Sequence, residues 1–214
     1  MPRILQPELL DSLPPDHPDA QHNRRDLQRI NRLMGNYRWF ARKLPPLLRP
    51  GEIALELGAG TGELAGSLAD RGIAVDALDL WPTPTTWPAN RRWHRADLQN
   101  FVGYGDYPVF LGNLIFHQFS DDNLGALGAQ LRASARVILA CEPVRRTLSQ
   151  TFYRLFGPLM GANHVSLHDA HVSIAAGFCN DELPRALGLT SADWNVHCST
   201  TALGAYRMIA VRRS

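Results

Sequence analysis

The stretch Ala54-Leu55-Glu56-Leu57-Gly58-Ala59-Gly60-Thr61-Gly62-Glu63-Leu64 decides how the rest of the chain is read. An apolar run ends in an acid, glycines follow at alternate positions, and a helical pattern begins at once. That order describes a buried strand, a tight turn and a helix N-terminus aimed at a ligand. The usual occupant of such a turn is a dinucleotide, with glycines spaced G-x-G-x-x-G. Here the third glycine comes one residue early, and Glu63 stands where that pattern wants Gly. Glu56, two residues before the first glycine, suits a ligand that brings positive charge better than one that brings a pyrophosphate.

At these residues the chain resembles the class I S-adenosylmethionine (SAM) methyltransferases, whose first motif reads acid-x-G-x-G-x-G. Glu56, Gly58, Gly60 and Gly62 meet it in full. The resemblance covers roughly residues 51 to 142 and the closing hairpin. It implies a Rossmann-like, seven-stranded, mostly parallel α/β sheet with helices on both faces and a terminal antiparallel hairpin.

The pattern of the chain agrees with that architecture. Ile53 to Leu57 reads as a strand and Thr61 to Asp70 as a helix. Strands follow at Ile73 to Leu80, near Trp93 to Ala96, at Val109 to Phe116 and at Val137 to Cys141. Ser120 caps a helix running to Ser134, with Asp121 and Asp122 in its first turn. A short crossover helix starts near Asn180 and ends at Gly188, and Asp193 to Thr200 with Ala205 to Arg212 forms the hairpin. Alternating strands and helices predict ligand at the carboxyl ends of the strands.

Two segments fall outside this frame. Residues 1 to about 20 hold Pro2, Pro7, Pro14, Pro15 and Pro18 and read as an extended arm. An amphipathic helix follows, with Leu27, Ile30, Leu33, Met34, Tyr37 and Phe40 at helical spacing and Gly35-Asn36 as a break. Asp19 or Asn23 is the expected cap. The second segment, Pro143 to Phe178, carries Phe152, Tyr153, Leu155, Phe156, Leu159 and Met160 and is expected to be a helical lid or an extension of the core. The expected division is thus an N-terminal arm and helix over residues 1–50, and a SAM-binding domain over 51–214 with the lid insert at 143–180.

The family resemblance implies further site residues. Asp79-Leu80 ends strand two, where an acid accepts both ribose hydroxyls. Asp97-Leu98 follows strand three, where the acid meets the adenine amino group and a backbone amide meets the ring. Asn113-Leu114 closes strand four beside the methionine end, and Glu56 orients the ligand's amino group. SAM carries a sulfonium, an ammonium and ribose hydroxyls, so acids at strand ends suit it. Trp81, Trp87 and Trp93 flank the adenine side, where one can stack on the purine or all can serve loop packing.

For the chemistry, His117 is the leading base candidate. It lies past strand four in Phe116-His117-Gln118-Phe119-Ser120-Asp121-Asp122, which resembles the part of plant phenolic O-methyltransferases where a histidine precedes a Trp-Ser-Asp-Glu run. The alternative is a histidine that only shapes the pocket. His168 is the second catalytic candidate, within His164-Val165-Ser166-Leu167-His168-Asp169-Ala170-His171. On a helix His164, His168 and His171 share a face and can hold a metal. No metal is expected, because Val172 and Ile174 continue an alternating pattern and the family's metal-dependent members use carboxylates.

The chain has 214 residues and a net charge of +2. That length suits one α/β domain. Between Arg24 and Arg49, seven arginines and one lysine stand against Asp26, a local +7 that leaves −5 elsewhere. A solvated helix face is the favoured explanation, with nucleic acid or an anionic membrane as alternatives. Cys141, Cys179 and Cys198 form neither a disulfide framework nor a zinc spacing, and no segment reads as a signal peptide or membrane span, so a cytoplasmic location is expected. The function expected is O-methylation of a small hydroxylated, phenol- or polyketide-like acceptor. C-methylation of a quinone-type ring is the nearest alternative. An RNA-directed methyltransferase gripping phosphate through the basic helix is another, against which stands the lack of an Asn-Pro-Pro-Tyr-type motif after strand four. Peripheral membrane contact through the N-terminal helix remains open, and sequence leaves the oligomeric state unknown.

Overall fold

The computed structural model describes residues 1–14 and 16–213. Pro15, counted among the prolines of the arm, lies outside them, as does the Met160 side chain. Seven strands build one sheet: β1 Ala54–Leu57, β2 Val75–Asp79, β3 Trp93–Arg95, β4 Val109–Asn113, β5 Val137–Pro143, β6 Trp194–Thr200 and β7 Ala205–Arg212. Their order is β3-β2-β1-β4-β5-β7-β6. The first five run parallel, while β7 pairs antiparallel with both β5 and β6. Strand order reverses between β1 and β4, where Leu57 lies opposite Gly112. That reversal opens a crevice at the carboxyl ends of both strands.

Every residue of β1, β2 and β5 is buried. Successive side chains divide between two cores, as the period of two requires. Leu55, Phe110 and Ile138 face one core, whereas Ala54, Val109, Leu111 and Leu139 face the other, with Leu64, Leu68 and Phe40. α3 (Glu63–Ala69) follows the glycine turn, and α4 (Asp121–Ser134) is capped by Ser120, whose hydroxyl accepts the Asn123 N–H.

α1 (Pro18–Met34) and α2 (Asn36–Lys43) meet at Gly35, in the left-handed conformation at φ 69°. The α1 cap is neither Asp19 nor Asn23. His17 takes that place, its Nδ1 accepting the Asp19 N–H ahead of Pro18 at the first helical position. Asn23 lies inside the helix and is buried. The insert after β5 forms α5 (Thr147–Phe156) and α6 (His164–Ala176), followed by the short α7 (Glu182–Ala186). Val172 and Ile174, whose alternation suggested an extended segment, belong to α6. α1 packs on α6 and α6 on α5, a helical layer beside the crevice. No helix among the described residues is long and apolar enough to cross a membrane.

Candidate active site

The glycine turn is held at one end by β2 and closed on itself at the other. The Gly58 N–H donates to Leu78 O at 2.9 Å, and the Gly62 N–H to Ala59 O at 2.8 Å. Gly58 has φ 64°, and a Cβ there would stand 2.5 Å from the Ile115 side chain, so both conformation and space require glycine. Gly60, at φ 60°, has open space where its Cβ would be.

Acids surround this turn. Asp79 accepts the Gly60 N–H on Oδ2 at 2.7 Å and the Trp81 N–H on Oδ1 at 2.9 Å. Burial raises its carboxyl, against the Trp81, Gly60 and Leu80 amides, which favour the charge. Glu56 lies beneath the first turn of α3 and accepts the Ala65 N–H at 3.0 Å. Burial pushes it well above the ordinary carboxylate range; the Ala65 bond opposes this, and Glu63 and Asp79 add to it. Asp97 accepts the Gln99 N–H at 2.8 Å, and the Leu98 carbonyl accepts the Tyr104 hydroxyl at 2.7 Å.

A cavity of about 1170 Å³ spreads over the strand ends. That exceeds the ~300–1,000 Å³ typical of one small-molecule site. Of the residues singled out from sequence, Glu56, Gly58, Gly60, Asp79, Leu80, Asp97, Leu98, Asn113, Leu114 and His117 line it. Gly62 does not; it sits beside Trp87 and Trp93, which pack edge to face at 4.9 Å. Trp81 alone of the three tryptophans lines the cavity, and the Arg24 guanidinium lies over its ring at 4.4 Å. The apolar side of α1, with Leu27, Ile30 and Met34, forms a wall of the cavity, while Arg25, Arg29 and Arg32 are exposed. Asn36 ties this wall to the sheet: its Nδ2 donates to Asn31 Oδ1 and to Asn113 Oδ1 at 3.0 and 3.2 Å.

His168 lies outside the cavity. α6 is helical, so His164, His168 and His171 do share a face, but all three are exposed. The other face presents Ser166, Asp169 and Ser173 to the cavity. Among the described residues no group of three His, Cys, Asp or Glu side chains is arranged to hold a metal ion.

β4 stops short of the strand expected to reach Phe116. Leu114 turns to φ 60°, a conformation costing a non-glycine residue ~1–3 kcal/mol. Glu142, fully buried at the end of β5, compensates. Its Oε1 accepts the Ile115 and Phe116 amides at 3.0 and 2.9 Å, and its Oε2 accepts the His117 N–H at 3.3 Å. Oε2 also meets His117 Nδ1 at 2.7 Å, and His117 Nε2 lies 3.3 Å from Glu8 Oε1. Burial alone would lower the imidazole's proton affinity, but bonds to Glu142 and Glu8 outweigh it and raise the pKa to about 9. Both ring nitrogens are engaged by carboxylates, which favour the protonated ring.

Glu8 belongs to an N-terminal strap, residues 1–14, that closes over the site. Arg3 donates to Ala176 O, His117 O and Phe119 O and pairs with Asp121 at 2.7 Å. The Asp169 carboxylate accepts the Leu9 and Leu10 amides at 2.7 and 3.1 Å. Asp11 lines the cavity on this strap, and its pKa is raised to about 6 by partial burial and by Glu8 and Asp169, with His117 opposing. Neither the strap's contacts nor Glu142 could be found from sequence: Glu8 and His117 lie 109 residues apart.

Strand order, glycine turn and closing hairpin together define the fold of the class I SAM-dependent methyltransferases. Solved structures carry the same fold. The plantazolicin methyltransferase BpumL in complex with S-adenosylhomocysteine (SAH) is similar with a TM-score of 0.72 at 12% identity, covering 96% of this chain and 93% of that one. The magnesium protoporphyrin IX methyltransferase ChlM from Synechocystis PCC 6803 with bound SAH gives 0.52 at 16% identity over 87% and 82%. A structure concerned with conversion of a disulfide bond into a thioacetal group during echinomycin biosynthesis gives 0.58 at 20% identity over 84% and 82%. No family model matches the chain, and no curated protein matches it.

Proposed function

We propose that the protein is a SAM-dependent methyltransferase whose acceptor is a small, hydroxylated, largely apolar molecule. The observation that carries this reading is the row of carboxylates, Glu56, Asp79 and Asp97, around a glycine turn in a cavity with room for two ligands. Such a donor set fits a cofactor that is cationic and carries ribose hydroxyls; it does not fit a pyrophosphate. Asp79 is assigned to the ribose: the Gly60 and Trp81 amides reach its Oδ2 and Oδ1 and Leu80 adds a third, which leaves acceptor capacity among the carboxylate's roughly four lone-pair sites. Asp97 and the Leu98 backbone are assigned to the adenine. Asn113 and Leu114 are assigned to the methionine end, and Glu56 to the amino group. Gly60 leaves the space that the ligand would enter, and Gly58 and Gly62 shape the turn.

Bound SAM supplies an electrophilic methyl group together with its leaving group. The protein's task is then to position the acceptor, which can contribute ~7–11 kcal/mol. Residues 51–214 are the catalytic body on this reading, and residues 1–50 with the insert at 143–180 close over it. The apolar side of α1, with Phe152 and Ile174, receives the body of the acceptor. His117, held between Glu8 and Glu142, pins the strap to the site and does not remove the acceptor's proton. Asp11, on the strap where it lines the cavity, with its pKa raised to about 6, is assigned as the proton acceptor.

Incubation with methyl-labelled SAM and a panel of phenols and hydroxylated polyketides, with an RNA pool in parallel, tests the reading. Label on an oxygen of a small acceptor is the expected result. Label on ring carbon would move the assignment to C-methylation, and label only in RNA, or none anywhere, would overturn it.

A further inference from the structure

One face of the molecule remains unaccounted for by a methyl-transfer site. On α5, Leu148, Phe152, Leu155 and Phe156 follow one another at i, i+4, i+7 and i+8, a single apolar stripe, and Leu159 continues it in the next turn. Leu148 is 78% exposed, Leu155 62% and Leu159 81%. The other side of the helix is used, with Gln150 donating to His171 O on α6. Contiguous exposed apolar side chains of this size mark an interface.

Charge indicates what covers it. No Asp or Glu occurs between Glu142 and Asp169, whereas Arg146 and Arg154 lie on α5 or at its start and are exposed. An anionic lipid surface complements both features, since an amphipathic helix buries its apolar stripe at the headgroup boundary with its arginines among the anionic groups. The stripe is also continuous with the cavity, because Leu148, Phe152 and Leu203 are exposed and line it. We propose that α5 and the turn after it seat the protein on an anionic membrane surface, so that a lipophilic acceptor passes from the bilayer into the cavity along this lip. Docking stands independently of methyl transfer; delivery of the acceptor rests on that reading. On α1 the apolar residues Leu27, Ile30 and Met34 are only partly exposed, whereas Leu148, Phe152, Leu155 and Phe156 of α5 are exposed.

Co-sedimentation of the full chain, without cofactor, with vesicles of phosphatidylcholine or of phosphatidylcholine mixed with phosphatidylglycerol tests the docking. The protein should pellet with the anionic vesicles and be released by salt. A Leu155→Glu/Leu159→Glu variant should partition at least about tenfold less, and Arg154→Glu about fivefold less into anionic vesicles only. Both variants should keep the wild-type melting temperature and SAH binding, because these side chains are exposed and lie outside the cavity. No pelleting of the wild type, or equal pelleting of the double variant, overturns the proposal. Self-association abolished by the double variant without vesicle binding would assign the face to a second copy. Pelleting without SAH binding would leave docking standing and remove the methyl-transfer reading, and the reverse result would do the opposite.

Discussion

Replacing His117 with Gln isolates the charge at the centre of the strap. In the folded protein the imidazole is enclosed by Glu142 at 2.7 Å and Glu8 at 3.3 Å, and its pKa rises from the ordinary 6.5 to about 9. At about 1.4 kcal/mol per tenfold change in proton affinity, that rise is worth about 3 kcal/mol of folding stability. Because folding tightens the hold on the proton, the stabilisation is complete below 6.5 and is lost as pH climbs through about 9. His117→Gln keeps a hydrogen-bonding side chain of similar reach but carries no charge. Urea unfolding of both proteins, extrapolated to water, should therefore give a destabilisation about 3 kcal/mol larger at about pH 6 than at about pH 10. In melting experiments this corresponds to about 6–12 °C, at ~2–4 °C per kcal/mol for a chain of this size. A destabilisation that is the same at both pH values would refute the reasoning, since it would mean that His117 is neutral in the folded state.

Gly58→Ala adds a left-handed penalty of ~1–2 kcal/mol and a clash with Ile115 of ~1–3 kcal/mol, so melting should fall by about 4–20 °C. Gly60→Ala has only the conformational term and should lose SAH affinity out of proportion to stability; the opposite ranking in calorimetry and melting would contradict the turn geometry. Asp11→Asn should lower kcat by ~10²-fold or more and remove the limb of the pH–rate profile near 6, where the rate rises as Asp11 ionises. Retention of that limb would free Asp11 of the role. Arg3→Ala removes the bonds to Ala176, His117, Phe119 and Asp121. It should cost about 1–3 kcal/mol and make residues 1–14 sensitive to limited proteolysis, while an unchanged digestion pattern would show the strap held by other contacts.

The parallel core was legible because its determinants are local. Buried strands read as apolar runs, and the turn at Gly58 to Gly62 names its own conformation. The acids after it fall at strand ends because the strands are short and regular. Where reading failed, the decisive partner was distant in sequence. Leu114-Ile115-Phe116 looks like continuing strand, yet Glu142 draws its amides away, and nothing local in the chain announces that carboxylate. β5 extends to Pro143, beyond the expected Cys141, because β7 pairs with it as far as Ala205. The histidines of α6 carry the right helical spacing, but spacing leaves open which face turns inward, and the inward face carries Asp169. His117 was visible as a residue beside the site; the two carboxylates that fix its charge were not.

The central claim is that the carboxylates at the strand ends hold SAM. Titration calorimetry of the full chain with SAH, for wild type and Asp79→Ala, tests it most directly. Hydrogen bonds to a charged carboxylate contribute ~1.5–3 kcal/mol, so the wild type should bind and the variant should bind at least ~10-fold more weakly. Absence of binding to the wild type, or equal affinity of the two proteins, would contradict the account.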